Sequence, residues 1–219
     1  TPDAGSTPDA GSTPDAGSTP DAGSGGANPC KPTDLTRYAV HDAKARKAVC
    51  NDGTDAVFFL RVGPGANKNK WAIHLQGGGA CASLCSCEAR WTTTPAKMTT
   101  APQPCKPTSG MNTASKSKNP GFYDWTHVWV HYCGSDAHGG DTTQIRDPVE
   151  VAKCSVQAKG APTSWQFRGH RIIKAIFEDL ADPKRFPAHN LGSAEFVLFT
   201  GSSAGSSGMR RNMDWAADF

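Results

Sequence analysis

These 219 residues lack a strong charge of either sign, a long apolar run and a complete metal-binding pattern. The 23 lysines and arginines face 20 aspartates and glutamates, a formal net charge of only +3. Basic residues gather modestly at 44–47 and at Lys68 and Lys70, with no aromatics between them. They read as solvated faces, and nucleic acid is not an expected partner. No apolar stretch nears the roughly 20 residues that a membrane-spanning helix needs, so no transmembrane segment is expected. Cys81-x3-Cys85-x-Cys87 lacks both a second C-x2-C knuckle and an H-x3-H partner, which argues against zinc. Neither a metal nor an organic cofactor is expected.

Large apolar side chains are missing from residues 1–24, four copies of Thr-Pro-Asp-Ala-Gly-Ser followed by Gly25-Gly26. Such a segment cannot bury enough surface to offset chain entropy. Residues 1–29 are therefore expected to be a disordered tether, and residues 30–219 the folded portion. An initiator methionine and a signal peptide are also lacking, so the chain is expected to start inside a longer protein.

Eight cysteines are present, an even number. Disulfides fit them better than metal does, and imply a secreted, periplasmic or cell-surface setting. Residues 57–62, 71–75 and 127–132 read as strands, and Cys50 and Cys133 fall at strand ends where they could meet. Residues 83–119, rich in Thr, Pro, Lys and Ser, read as one long irregular segment. Apolar residues at Phe167, Ile172, Ile173, Ile176, Phe177 and Leu180 form a helical stripe that Asp182-Pro183 ends. Strands alternating with a helix predict an α/β protein with a mainly parallel sheet and flanking helices. Its ligand site would lie at the carboxyl ends of the strands.

The most informative stretch is 194–208. The apolar run 196–199 leads into Gly201-Ser202-Ser203-Ala204-Gly205, and a helix-compatible segment extends from Met209 towards Ala217. Strand, sharp turn and helix are the setting in which G-x-S-x-G forms a nucleophile elbow. Side chains at Gly201 and Gly205 would collide with the neighbouring helix and strand, while Ser203 would be strained and stand clear. Earlier, strand 71–75 runs into Gln76-Gly77-Gly78-Gly79. Only glycine lets backbone N–H groups approach a substrate carbonyl that closely. Gly78 and Gly79, together with Ala204, are the expected oxyanion-hole donors.

Five landmarks together resemble the pectin acetylesterase/Notum family: residues 48–53, 71–81, 129–136, 167–172 and 201–205. The resemblance covers about residues 46–219. It implies a secreted serine carboxylester hydrolase of α/β-hydrolase type, with Ser203 as nucleophile. The implied substrate is an acetyl ester on a polysaccharide such as pectin, ahead of a fatty-acyl ester on a protein. The resemblance also pairs Cys81 with Cys87. Members tend to carry tryptophan beside the glycine pair, where this chain has Gly79-Ala80.

In that family the triad acid and histidine lie well beyond the elbow. Here no histidine follows His189, so the C-terminal part of the hydrolase domain is expected to be missing. These 219 residues are then expected to be inactive alone. Ser135 and Asp136, in the loop after the third strand, are candidate substrate contacts, although Asp136 reads more naturally as a brace of its own turn. His138 could be a general base only if Nε2 reached Ser203. His74 and His131 read as core histidines, and Arg168 and Arg171 as ion-pair partners. The expected state is a monomer. The rival reading is a tethered carbohydrate-binding or scaffold module that keeps the fold without catalysis.

Overall fold

A computed structural model describes residues 30–219; the tether expected over 1–29 lies outside the described residues. In chain order the elements are β1 (Leu35–Ala39), β2 (Val57–Arg61), β3 (Lys70–Leu75), α1 (Leu84–Thr93), β4 (Cys105–Lys106) and β5 (Thr126–Val130). Then follow β6 (Thr142–Ile145), α2 (Pro148–Val151), β7 (Ser164–Phe167), α3 (Gly169–Ala181), β8 (Phe196–Gly201) and α4 (Ala204–Ala217). The main sheet has the order β4-β1-β2-β5-β3-β8. β3 runs parallel to both β5 and β8, whereas β5–β2, β2–β1 and β1–β4 are antiparallel. Strands β6 and β7 form a separate antiparallel pair.

Side-chain alternation divides the core. Phe58, Leu60, Trp71, Ile73, Leu75, Val128 and Val130 point to one face, where they meet Ile172, Ile173 and Ile176 of α3. Met209 and Trp215 of α4 pack against the same cluster, so the two long helices share that face. Val57 and Phe59 turn to the other face with Leu35, Ala101 and Trp129. The helical stripe of α3 is realised as expected, except that Phe167 ends β7 rather than opening the helix.

Residues 83–119 are not one irregular segment: α1 occupies ten of them. Its apolar side is only Leu84, Cys87 and Trp91, which pack with Met98, Ala158 and Trp165, too short a run for periodicity to mark. Ser83 caps it reciprocally with Ser86, satisfying amides at the helix start that would otherwise lack partners. Disulfides Cys81–Cys87 and Cys85–Cys154 add to that packing in holding the helix down. Helix α4 likewise starts at Ala204, not Met209. Tertiary contact overrides poor local propensity there, because Gly208 lets α4 lie against His138, whose Cβ is 2.6 Å from where a Gly208 Cβ would stand.

All eight cysteines are paired, the other two bonds being Cys30–Cys105 and Cys50–Cys133. Both anticipated pairs are among the four. None of the thiolates that a zinc site would need is left over.

Candidate active site

The carboxyl ends of β3, β5 and β8 bring three turns together. At the end of β8, Ser203 has φ 52° and ψ −121°, a region that side-chain-bearing residues adopt only under strain. Its neighbours explain how that strain persists. A Cβ on Gly201 would overlap the backbone of Gly205 and lie 2.7 Å from Ser206 N, and a Cβ on Gly205 would overlap the Leu75 carbonyl. Strand and helix therefore close tightly on either side, and Ser203 is pushed out, exposed to solvent. Ser206 Oγ donates to Gly201 O at 2.7 Å, a staple across the turn. The elbow expected from G-x-S-x-G is thus formed, with Ala204 as the first residue of a 14-residue helix. Its amide is among those a helix leaves without an internal partner.

The glycine turn after β3 lies against the elbow. A Cβ on Gly77 would overlap Ser202 O and stand 3.0 Å from Ser203 Cβ. Gly77 thereby welds the two turns together, a role its sequence context does not distinguish from that of its neighbours. Gly78 (φ 147°) and Gly79 (φ 72°) both take backbone conformations that disfavour side chains, and both are exposed.

Behind them stands a braced loop. Ser135, Ala137 and His138 all have φ between 51° and 56°. Asp136 holds this contorted path by accepting from the amides of His138 (3.0 Å), Gly140 (3.2 Å) and Gly169 (2.7 Å). Burial pushes its carboxyl above the usual range, and those amide bonds oppose the shift. Tyr132 Oη accepts from Ala137 N at 2.8 Å. Ser135 is fully buried, and its Oγ accepts from Arg90 Nε at 2.8 Å. Both residues singled out as substrate contacts therefore direct their polar groups into the protein.

His138 does not meet Ser203. Its Nε2 lies 2.9 Å from Gln76 O; a carbonyl only accepts, so Nε2 carries the proton and is no base. Burial pushes its pKa down to about 4, with Gln76 O opposing and His131 and His74 adding to the shift. His131 is also buried, between Thr99 O (3.0 Å) and Gln76 Oε1 (3.2 Å), and His74 stacks on Trp129. Among the described residues no histidine hydrogen-bonds Ser203. Arg168 and Arg171 both pair with Asp141, as expected of structural cations.

Gln76 is a hub that sequence inspection passes over. Its Oε1 accepts from Tyr132 N at 3.0 Å, while its carbonyl accepts from His138 Nε2. Arg90 and Lys97 were equally unmarked. Arg90 Nη1 lies 3.4 Å from where a Gly79 Cβ would stand, and Lys97 Nζ donates to Gly77 O at 3.3 Å. Nothing local in a Thr-rich segment signals that either reaches the glycine turn.

Several known proteins are similar to this chain. Palmitoleoyl-protein carboxylesterase notum1' of Xenopus laevis is 28% identical over 192 residues, 87% of this chain and 35% of that protein. Pectin acetylesterase 11 of Arabidopsis thaliana is 28% identical over 167 residues, 76% of this chain and 37% of the relative. A solved structure of the Wnt deacylase Notum from Drosophila superposes with a TM-score of 0.68 at 29% identity, covering 85% of this chain and 48% of that one. The chain thus spans about a third of the length of these curated relatives, and it has the α/β-hydrolase fold. The Pectinacetylesterase family matches residues 30–218, and the conclusion is that the chain belongs to the pectinacetylesterase family.

Proposed function

We propose that this chain carries the nucleophile and oxyanion hole of a serine carboxylester hydrolase that deacetylates an O-acetylated polysaccharide such as pectin. The observation that carries the proposal is Ser203, solvent-exposed at φ 52° and ψ −121° between two glycines whose Cβ positions are already occupied. A non-catalytic module has no need to hold a serine in that conformation.

Ser203 Oγ attacks the ester carbonyl as its proton passes to a histidine. The N–H groups of Gly78, Gly79 and Ala204 hold the developing oxyanion, the alcohol leaves, and water cleaves the acyl-serine. With the proton on His138 Nε2 held by Gln76 O, no histidine among the described residues is placed to be that base. The 219 residues alone then turn over slowly, because a serine without its base is a weak nucleophile. Four disulfides fit a secreted or cell-surface enzyme. No metal or organic cofactor enters this chemistry.

The test is labelling and turnover in the full-length protein. A fluorophosphonate should mark Ser203, and Ser203→Ala should abolish nearly all p-nitrophenyl acetate hydrolysis, with Ser202→Ala much milder. Labelling at Ser202, or full activity in Ser203→Ala, would overturn the assignment.

A further inference from the structure

The glycines after β3 follow one residue that is held at three points. Gln76 N donates to Val130 O at 3.2 Å, which carries the β3–β5 ladder one residue past Leu75. Its carbonyl accepts from His138 Nε2 at 2.9 Å, and its Oε1 accepts from Tyr132 N at 3.0 Å. At the far end of the turn, Cys81 N donates to Ser135 O at 3.0 Å, and Cys81 is bonded to Cys87. Tyr132, Ser135 and His138 all belong to the loop after β5. One loop therefore grips both ends of the glycine turn.

Between those ends the turn has few restraints of its own. Among the described residues, no amide of 77–80 donates a hydrogen bond. Lys97 Nζ reaches Gly77 O at 3.3 Å, but from the end of a long, flexible side chain. Glycine has the widest choice of backbone conformations, so such a stretch keeps one shape only if its ends are fixed. Register places Gln76 beside His131, one step beyond the Leu75–Val130 pair. His131 Nδ1 is 3.2 Å from Gln76 Oε1, but its Nε2 lies 3.0 Å from Thr99 O and must donate there. Burial, with Thr99 O opposing and Lys97, Lys106 and Arg37 adding, pushes the pKa of His131 down to about 4. The neutral ring then has no second proton, and Nδ1 offers Oε1 only a lone pair. Turning the amide around would set its NH2 against Tyr132 N–H. The Tyr132 amide is therefore the bond that fixes the Gln76 side chain.

We propose that Gln76 is a positioning residue for the ester hydrolysis: by taking the Tyr132 amide on Oε1 it fixes the backbone that leads into Gly77, and so aims the N–H groups of Gly78 and Gly79 at the reacting carbonyl. Gln76 itself touches no reacting atom. Its contribution is preorganisation, in which donors already point to where charge develops. The assignment rests on the esterase reading for its consequence in catalysis, but the rigidity of the turn is measurable without hydrolysis. Without the side-chain bond the site still admits the ester while its donors wander, so the loss falls on the transition state rather than on binding.

The experiment compares the full-length wild type with Gln76→Met, which keeps the length of the side chain and removes the acceptor. In Gln76→Met, kcat for p-nitrophenyl acetate should fall about 10- to 100-fold with KM within about threefold. NMR order parameters of the Gly78 and Gly79 amides should drop from about 0.85 towards about 0.6. Gln76→Glu restores an acceptor for Tyr132 N, so its order parameters should match the wild type. Its carboxylate beside Nδ1 should also make His131 titrate about one pH unit or more higher. A merely structural role would lower stability without separating kcat from KM. If Gln76→Met does not fold, Gln76→Asn, one methylene too short to reach Tyr132, carries the same expectation. Unchanged order parameters, a loss in KM rather than kcat, or a Gln76→Glu variant as loose as Gln76→Met or with His131 titrating as before would overturn the role. Loosened glycines in a protein whose wild type neither hydrolyses the ester nor takes the fluorophosphonate would keep Gln76 as the support of the turn and reject the esterase reading.

Discussion

Gly77 and Ser202 pack backbone on backbone, with the Ser202 carbonyl in the space that a Gly77 Cβ would need. The glycine turn after β3 and the Ser203 turn are thereby one rigid body rather than two loops that happen to face each other. Gly77→Ala should consequently cost about 1–3 kcal/mol of stability and also reduce fluorophosphonate labelling of Ser203. Thermal unfolding and labelling of the same variant check this; wild-type values in both would refute the coupling.

Strain at Ser203 leads to an expectation of opposite sign. Ser203→Gly should unfold at a higher temperature than wild type, since glycine adopts φ 52°, ψ −121° without penalty. Relief of about 1–3 kcal/mol outweighs the roughly 0.5–1 kcal/mol that glycine loses through chain entropy. Serine-directed labelling should vanish in the same variant. A lower melting temperature than wild type would contradict the strain.

Acid should destabilise the fold well above the carboxylate range. Burial is the main cause that lowers His127, His131 and His138 from 6.5 to about 4. The unfolded chain takes up these protons near pH 6.5 and the folded one only near 4, so their contribution is complete above 6.5 and is lost as pH falls through that window. The slope is about 1.4 kcal/mol per pH unit for each histidine. Urea unfolding from pH 7 to 4.5 measures it; a flat profile above pH 5 would exclude it.

Glu88 is fully buried and takes two bonds from Arg146, at 2.6 and 2.7 Å, and one from Ala158 N at 2.8 Å. Burial works to raise its pKa, but these bonds outweigh burial and hold the carboxyl below its usual range. Glu88→Ala would leave Arg146 stranded and should cost about 3–5 kcal/mol. Denaturant titration decides; a loss below 1 kcal/mol would show the pair to be incidental.

Strand β8 is an edge of the main sheet, with Phe196 53% and Val197 40% exposed. An apolar edge templates pairing with other chains. The 219 residues should therefore self-associate at micromolar concentration, and Val197→Lys should raise the monomer fraction in light scattering. A monomeric wild-type chain under those conditions would show the edge to be harmless.

The sequence alone determined the elements whose signal is local. Short apolar runs marked β2 and β3, alternation marked β5, the stripe from Ile172 to Leu180 marked α3, and the spacing of Gly201, Ser203 and Gly205 specified an elbow, because its steric demand falls within five residues. What lay beyond sequence was whatever depends on partners far along the chain. Helix α1 is held by a cap, by a disulfide to Cys154 and by the packing of Leu84, Cys87 and Trp91 against Trp165, far along the chain. The antiparallel half of the sheet depends on β1 pairing with residues about 20 and 70 positions away. Ser135 and Asp136 look available in a loop sequence, yet Arg90 and the amide of Gly169 claim them. Arg90 and Lys97 reach the glycine turn only because the folded chain carries α1 and the turn after it there. Steric rules between adjacent residues are written in composition and spacing, whereas the destination of a buried charge is decided by which distant backbone arrives beside it.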